Sequence, residues 1–178
     1  PDPEDGPLAK MLAFRRRSHA LYRWRFNLRT GEVREHEIDD LNTEFPRINP
    51  LRLGRNYRYT YNQYLPVTGG KGLSGRCQTF DALVKYDVET GSYQRYDYGE
   101  GVYGNESPFA PSTHARPEGP EDNGYLVTFS TDSNDWTSRA LIFDAADITR
   151  GPICRIPIPR RIPLGFHANW IPGRDMWG

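Results

Sequence analysis

Leu83-Val-Lys-Tyr-Asp-Val-Glu-Thr-Gly-Ser-Tyr, residues 83–93, holds an apolar run closed by Asp87, a short turn carrying Gly91, and the start of a second extended run. Gly91 suits positive φ at a hairpin tip, and the Asp87 side chain can accept from backbone N–H groups of the same turn. The pattern recurs upstream as Tyr22-Arg-Trp-Arg-Phe-Asn-Leu-Arg-Thr-Gly-Glu-Val and downstream as Leu141-Ile-Phe-Asp-Ala-Ala-Asp-Ile-Thr-Arg-Gly-Pro. Asn27, Asp87 and Asp144 are then equivalent, with spacings of 60 and 57 residues (87 − 27 and 144 − 87). The chain is an internal repeat built on hairpins.

A further strand precedes the second and third hairpins. Tyr57-Arg-Tyr-Thr-Tyr-Asn-Gln-Tyr is aromatic at alternate positions, and Gly124-Tyr-Leu-Val-Thr-Phe-Ser alternates in the same way, as half-buried strands do. After each hairpin comes a Pro-containing segment: Glu44-Phe-Pro-Arg-Ile-Asn, Gly104-Asn-Glu-Ser-Pro-Phe-Ala-Pro, and Pro163-Leu-Gly-Phe-His-Ala-Asn-Trp. Four strands per period fit a blade of a β-propeller, with the Pro-containing segments crossing inward to begin the next blade. The 178 residues suffice for about three blades, whereas propellers close with roughly four to eight. Residues 1–178 are therefore expected to be part of one larger propeller domain, with no separate second domain.

Composition agrees. Gly 17, Pro 15, Tyr 11 and Phe 8 favour strands and turns and predict an all-β chain. Lys+Arg 23 against Asp+Glu 23 leaves no net charge, which argues against a nucleic-acid partner. The run Arg15-Arg16-Arg17 reads as a solvated or strand-edge run. Cys77 and Cys154 lack metal-ligand or disulfide-framework spacing and fit a reducing cytosol, so a cytoplasmic location is expected. No stretch has the apolar length of a membrane span, and the opening Pro1-Asp2-Pro3-Glu4 lacks both signal-peptide order and an initiator methionine. A fragment of a longer polypeptide is the expectation.

Glu44, Glu106 and His167 hold matching places in the three crossings, 62 and 61 residues apart (106 − 44 and 167 − 106). In a propeller such positions are related by rotation about the channel axis, so their side chains converge, and a metal is one natural occupant. A carboxylate beside a ligating imidazole accepts the ring proton not needed for ligation and fixes tautomer and orientation. Glu106 is the expected acceptor for His167. Gly165 allows close backbone approach, while Phe166 and Trp170 could exclude water. His19, His36 and His114 break the period and read as surface residues.

Glu44-Phe-Pro-Arg-Ile-Asn, Gly104-Asn-Glu-Ser-Pro-Phe, Glu121-Asp-Asn-Gly-Tyr-Leu and Ile162-Pro-Leu-Gly-Phe-His-Ala-Asn-Trp, in this order, resemble the signature of the carotenoid-cleavage oxygenase family over nearly the whole chain. The resemblance implies a seven-bladed propeller, of which this chain supplies about the last three blades. It also implies a non-haem Fe2+ held by four histidines and three supporting glutamates. His167 matches the last histidine, Glu106 the glutamate that supports it, and Glu44 the glutamate supporting a histidine upstream of this chain. Three ligands and one glutamate are then absent. Asn123 departs from the family's frequent Asp, in a place that suits Asn-Gly turn chemistry.

The implied reaction is oxidative cleavage of a conjugated C=C bond of a carotenoid, apocarotenoid or stilbene by O2, giving two carbonyl products without an organic cofactor. Beyond the metal site no catalytic residue is assigned. Phe45, Phe109, Phe166 and Trp170 could line a tunnel for an apolar polyene or stilbene, with Phe166, beside the ligand, the candidate retained. Any peripheral membrane contact falls to the missing part, and oligomeric state is left open. Two rival readings stand: an iron-free propeller scaffold for interactions, and an iron-dependent isomerohydrolase of the same family. The isolated chain, with one ligand histidine, is expected to bind iron poorly and to be inactive.

Overall fold

The computed structural model describes residues 19–66, 79–165, 167–173 and 176. Arg15 to Arg17, Cys77 and Phe166 lie outside the described residues. The architecture is all-β, as the turn-rich, aromatic composition predicts.

The repeat is visible in the hairpins. Strands β1 (Leu21–Phe26) and β2 (Val33–Asp39) pair antiparallel. At their turn Oδ1 of Asn27 accepts from the N–H groups of Arg29 and Thr30, and Gly31 takes φ 75°. The second sheet runs β3 (Thr43–Arg47), β4 (Tyr59–Tyr64), β5 (Ala82–Asp87) and β6 (Ser92–Asp97), in sequence order. Here Oδ1 of Asp87 accepts from the N–H groups of Glu89 and Thr90, and Gly91 has φ 74°. These are the same turn chemistry at equivalent positions. In the third repeat Oδ1 of Asp144 accepts from Ala146 N–H, but a 3-10 turn at Ile148–Arg150 lengthens the connection before Gly151, φ 76°.

The third sheet contains β7 (Val102–Gly104), β8 (Phe109–Pro111), β9 (Gly124–Asp132), β10 (Thr137–Asp144) and β11 (Cys154–Ile158). Both β7 and β8 pair with β9, so together they occupy one edge, broken by residues 105–108. The pairing runs from Gly104 with Ser130 to Phe109 with Leu126, five steps on one strand against four on the other. Strand β3 has a matching irregularity: Glu44 pairs with Gln63 and Arg47 with Tyr61, three steps against two. The first two crossings thus each carry one extra residue, where a bulge bends the strand and re-aims its side chains.

Two clusters hold the sheets together. Tyr61 and Leu83 of the second sheet meet Phe109, Leu126, Leu141 and Phe143 of the third. On the other side of the second sheet, Val84 and Tyr86 meet Leu21 and Ile38 of the β1–β2 hairpin. Burial on both faces explains why five successive residues of β5, Ala82 to Tyr86, are buried. Each fully buried Leu, Val or Phe side chain contributes roughly 1.5–3 kcal/mol. Among the described residues no helix is long and apolar enough to cross a membrane, and Cys154 is a free, exposed thiol.

Candidate metal centre

Glu44-Phe-Pro-Arg builds the first side of the site. Phe45 takes φ 56°, a left-handed conformation uncommon for a bulky residue. Pro46 follows it, without an N–H to place in the ladder. The extra residue puts Glu44 and Arg47, three positions apart, opposite Gln63 and Tyr61 and so on one face of the sheet. Strain of this kind persists where surrounding packing enforces it. The Phe45 ring stands edge-on to the His167 ring at 4.9 Å between centroids and 5.2 Å from the ring of Phe80.

Asn105-Glu106-Ser107 forms the second side, and all three residues are buried. Ser107 Oγ accepts from Nε2 of Gln63 at 2.8 Å, while the Tyr98 hydroxyl donates to Oε1 of the same Gln63 at 2.8 Å. Asn105 Oδ1 accepts from Gly165 N–H at 3.1 Å. Glu106, 4% exposed, would be a costly buried carboxylate without partners. It has three. Its Oε2 accepts from Ala168 N–H at 2.6 Å and lies 3.5 Å from Nδ1 of His167, and its Oε1 lies 2.6 Å from Nε of Arg47. The Arg47 contact is a close charge pair rather than an aligned hydrogen bond.

The third crossing closes the arrangement. Gly165 packs against Asn105, where a Cβ would lie 3.4 Å from Nδ2, an ordinary contact distance. Nη2 of Arg47 donates to the carbonyl of Ala168 at 2.6 Å. The three Pro-containing segments therefore meet: the first touches the second through Arg47 and Glu106, and the second touches the third through Asn105 and Glu106.

His167 turns Nδ1 towards Glu106, which leaves Nε2 on the far side of the ring, and its side chain is 77% exposed. At 3.5 Å the Nδ1 contact is electrostatic, and it would tighten to a hydrogen bond with a small movement of the ring. Imidazole with its second nitrogen held by a carboxylate suits divalent iron, copper or zinc. The residues present fit one ligand of such a centre. Among the described residues no three His, Cys, Asp or Glu side chains gather to hold a metal.

Glu44 is not beside His167. Its Oε1 lies 3.1 Å from Nε2 of His19, whose backbone N–H donates to Asn42 Oδ1 at 2.6 Å. His19 was expected to be a surface residue. Instead it is tied by Asn42 and Thr43 to the start of β3, an anchoring that no sequence period marks. His36 and His114 are exposed, as read. Trp170 does not dry the His167 site: it lines a separate cavity of about 620 Å3 with Pro50, Leu51, Pro111 and Arg116. Phe109 belongs to the inter-sheet core, so only Phe45 of the described aromatic candidates stands against the imidazole. Sequence reasoning missed Arg47 as well, since an arginine inside a motif gives no sign of which carboxylate it meets.

The family described as Retinal pigment epithelial membrane protein (RPE65) matches residues 2–172. The chain belongs to this family. Carotenoid 9,10(9',10')-cleavage dioxygenase 1 of Pisum sativum is 32% identical over 158 residues, covering 86% of the chain and 29% of that relative. The crystal structure of Pseudomonas brassicacearum lignostilbene dioxygenase superposes with a TM-score of 0.75 at 29% identity, over 86% of this chain and 32% of that one. Cobalt-substituted Synechocystis ACO superposes with a TM-score of 0.70 at 27% identity, over 84% of this chain and 29% of that one. The chain thus spans about a third or less of the length of these RPE65-family relatives.

Proposed function

We propose that this chain is the C-terminal part of a seven-bladed propeller dioxygenase that cleaves a conjugated C=C bond of a carotenoid, apocarotenoid or stilbene. The observation that carries the proposal is the meeting of three crossings at Glu106 and His167, in a family whose relatives include named carotenoid and lignostilbene dioxygenases. Repeated sheets stacked in chain order, the second and third beginning at a Pro-containing crossing, support the propeller reading.

In this reading Nε2 of His167 binds Fe2+, and the other imidazoles come from the polypeptide outside this chain. Iron, when bound, supplies the activation of O2 that a spin-paired polyene requires. Glu106 holds the proton-bearing Nδ1 side of the ring, so that Nε2 keeps its lone pair for the metal. Glu44 offers a carboxylate to a second imidazole in the same way. Phe45 covers one edge of the His167 ring and keeps water from that side. The reaction balances as one O2 added across one C=C bond, with both oxygen atoms retained in two carbonyl products.

The test offers the full-length polypeptide 18O2 with, in separate assays, a stilbene, an apocarotenoid and a retinyl ester. Two carbonyl products, each carrying one 18O atom, support the proposal. Intact substrate, or a hydrolysed or isomerised ester with no 18O, would replace it with the scaffold or isomerohydrolase reading.

A further inference from the structure

Arg47 makes two contacts, one with Glu106 of the second crossing and one with Ala168 of the third. Its Nε lies 2.6 Å from Oε1 of Glu106, and its Nη2 donates to the carbonyl of Ala168 at 2.6 Å. The other oxygen of Glu106 accepts from the N–H of the same Ala168 at 2.6 Å. Both backbone polar groups of Ala168 are therefore held, one by each member of a charge pair, in a closed loop of contacts. Ala168 N–H belongs to the peptide that joins it to His167. Holding it in place sets the plane of that peptide and hence the direction in which the imidazole leaves the backbone.

We infer that Arg47 is a positioning residue for the metal centre: it fixes Glu106 and the His167–Ala168 peptide together, and thereby aims Nε2 of His167. The inference rests on the iron-centre reading given above. In the proposed centre Arg47 touches neither the metal nor substrate. Its planar fork suits the task because two nitrogens a fixed distance apart reach a carboxylate and a carbonyl at once, which an ammonium cannot do with the same rigidity. The bulge in β3 is what brings it there. Without the extra residue at Phe45, the register would turn Arg47 to the opposite face of the sheet, away from Glu106. The guanidinium also offsets the charge of a nearly fully buried carboxylate.

A merely structural strap would lower stability and leave the metal unchanged, which makes the two roles separable. The experiment compares full-length wild type, Arg47→Lys, Arg47→Gln, Glu106→Gln and the Arg47→Gln/Glu106→Gln double variant. Fe2+ affinity is read by chelator competition, the ligand field by the EPR signal of the ferrous nitrosyl adduct, and apoprotein stability by denaturation. Supporting partners of ligating histidines are worth about 10–100-fold in metal affinity. Arg47→Gln is expected near the lower end, about 10-fold weaker with an altered EPR signal, and Arg47→Lys about 3-fold weaker. The double variant should lose less iron affinity than the two single losses combined, because both residues act on the same His167–Ala168 peptide. Unchanged iron affinity and EPR signal in Arg47→Gln and Arg47→Lys would overturn the inference alone, as would additive losses in the double variant. Wild-type protein that takes up no iron would instead overturn the iron-centre reading, and the inference with it.

Discussion

Oε2 of Glu106 stands 3.5 Å from Nδ1 of His167 and accepts a 2.6 Å bond from the next residue's N–H. One carboxylate oxygen thus serves both the imidazole and the peptide that carries it. Glu106→Gln keeps an oxygen for the Ala168 N–H but loses the charge facing the ring. In the full-length protein it should weaken Fe2+ binding about 10-fold, and Glu106→Ala nearer 100-fold, both measured by chelator competition. Equal affinity in all three proteins would remove Glu106 from the site.

Gly124 is required by packing rather than by its backbone angle. A Cβ there would lie 2.5 Å from the Phe109 ring and 2.6 Å from the Ala110 carbonyl, so β8 could not approach β9. Gly124→Ala should destabilise the fold by about 2–3 kcal/mol, in the range of overpacked cores, as read by denaturant unfolding. A loss below about 0.5 kcal/mol, the scale of ordinary surface changes, would contradict the packing at that junction.

Asp87 joins the second hairpin turn to β4. The Arg58 guanidinium, donating to its carboxylate, brings its pKa down from 3.8 to about 2. A carboxylate held below its unfolded value adds stability above that value, and the contribution fades as pH falls from about 4 to about 2. Asp87→Asn should therefore cost about 1 kcal/mol at pH 7, a figure reduced by the exposure of Arg58. The gap from wild type should narrow as pH falls towards 2. A difference independent of pH would assign the effect to the turn alone.

His19 and Glu44 form a half-exposed pair at 3.1 Å. His19→Ala should cost no more than about 1 kcal/mol in unfolding free energy, because screened pairs of this kind contribute little. A loss above 2 kcal/mol would show that this pair anchors the start of β3.

The hairpins were legible in the sequence because their turns rest on local chemistry: Asn27, Asp87 and Asp144 bind backbone within a few residues, and Gly31 and Gly91 adopt the angles that glycine permits. The pairing of Glu106 with His167 was also legible, through a period that places equivalent residues in successive crossings. Arg47 was not. Its partners Glu106 and Ala168 are 59 and 121 residues away (106 − 47 and 168 − 47), and the bulge that turns it towards them appears only in the register of β3 against β4. Nor was the partner of Glu44, since His19 lies outside the repeat and reaches it by way of Asn42. Trp170 lies three residues from His167 in sequence yet lines a different cavity, because an extended chain carries neighbouring side chains apart.

In the proposed iron centre His167 is one ligand, and residues outside this chain complete the set. Iron content, measured by mass spectrometry on the full-length polypeptide after anaerobic reconstitution, tests it with wild type and His167→Ala side by side. The expected result is about one iron per chain in wild type and only traces in His167→Ala, a single-ligand loss of the kind that opens a metal site, with both proteins folded by circular dichroism. Wild type that takes up no iron, or His167→Ala that holds as much as wild type, would contradict it.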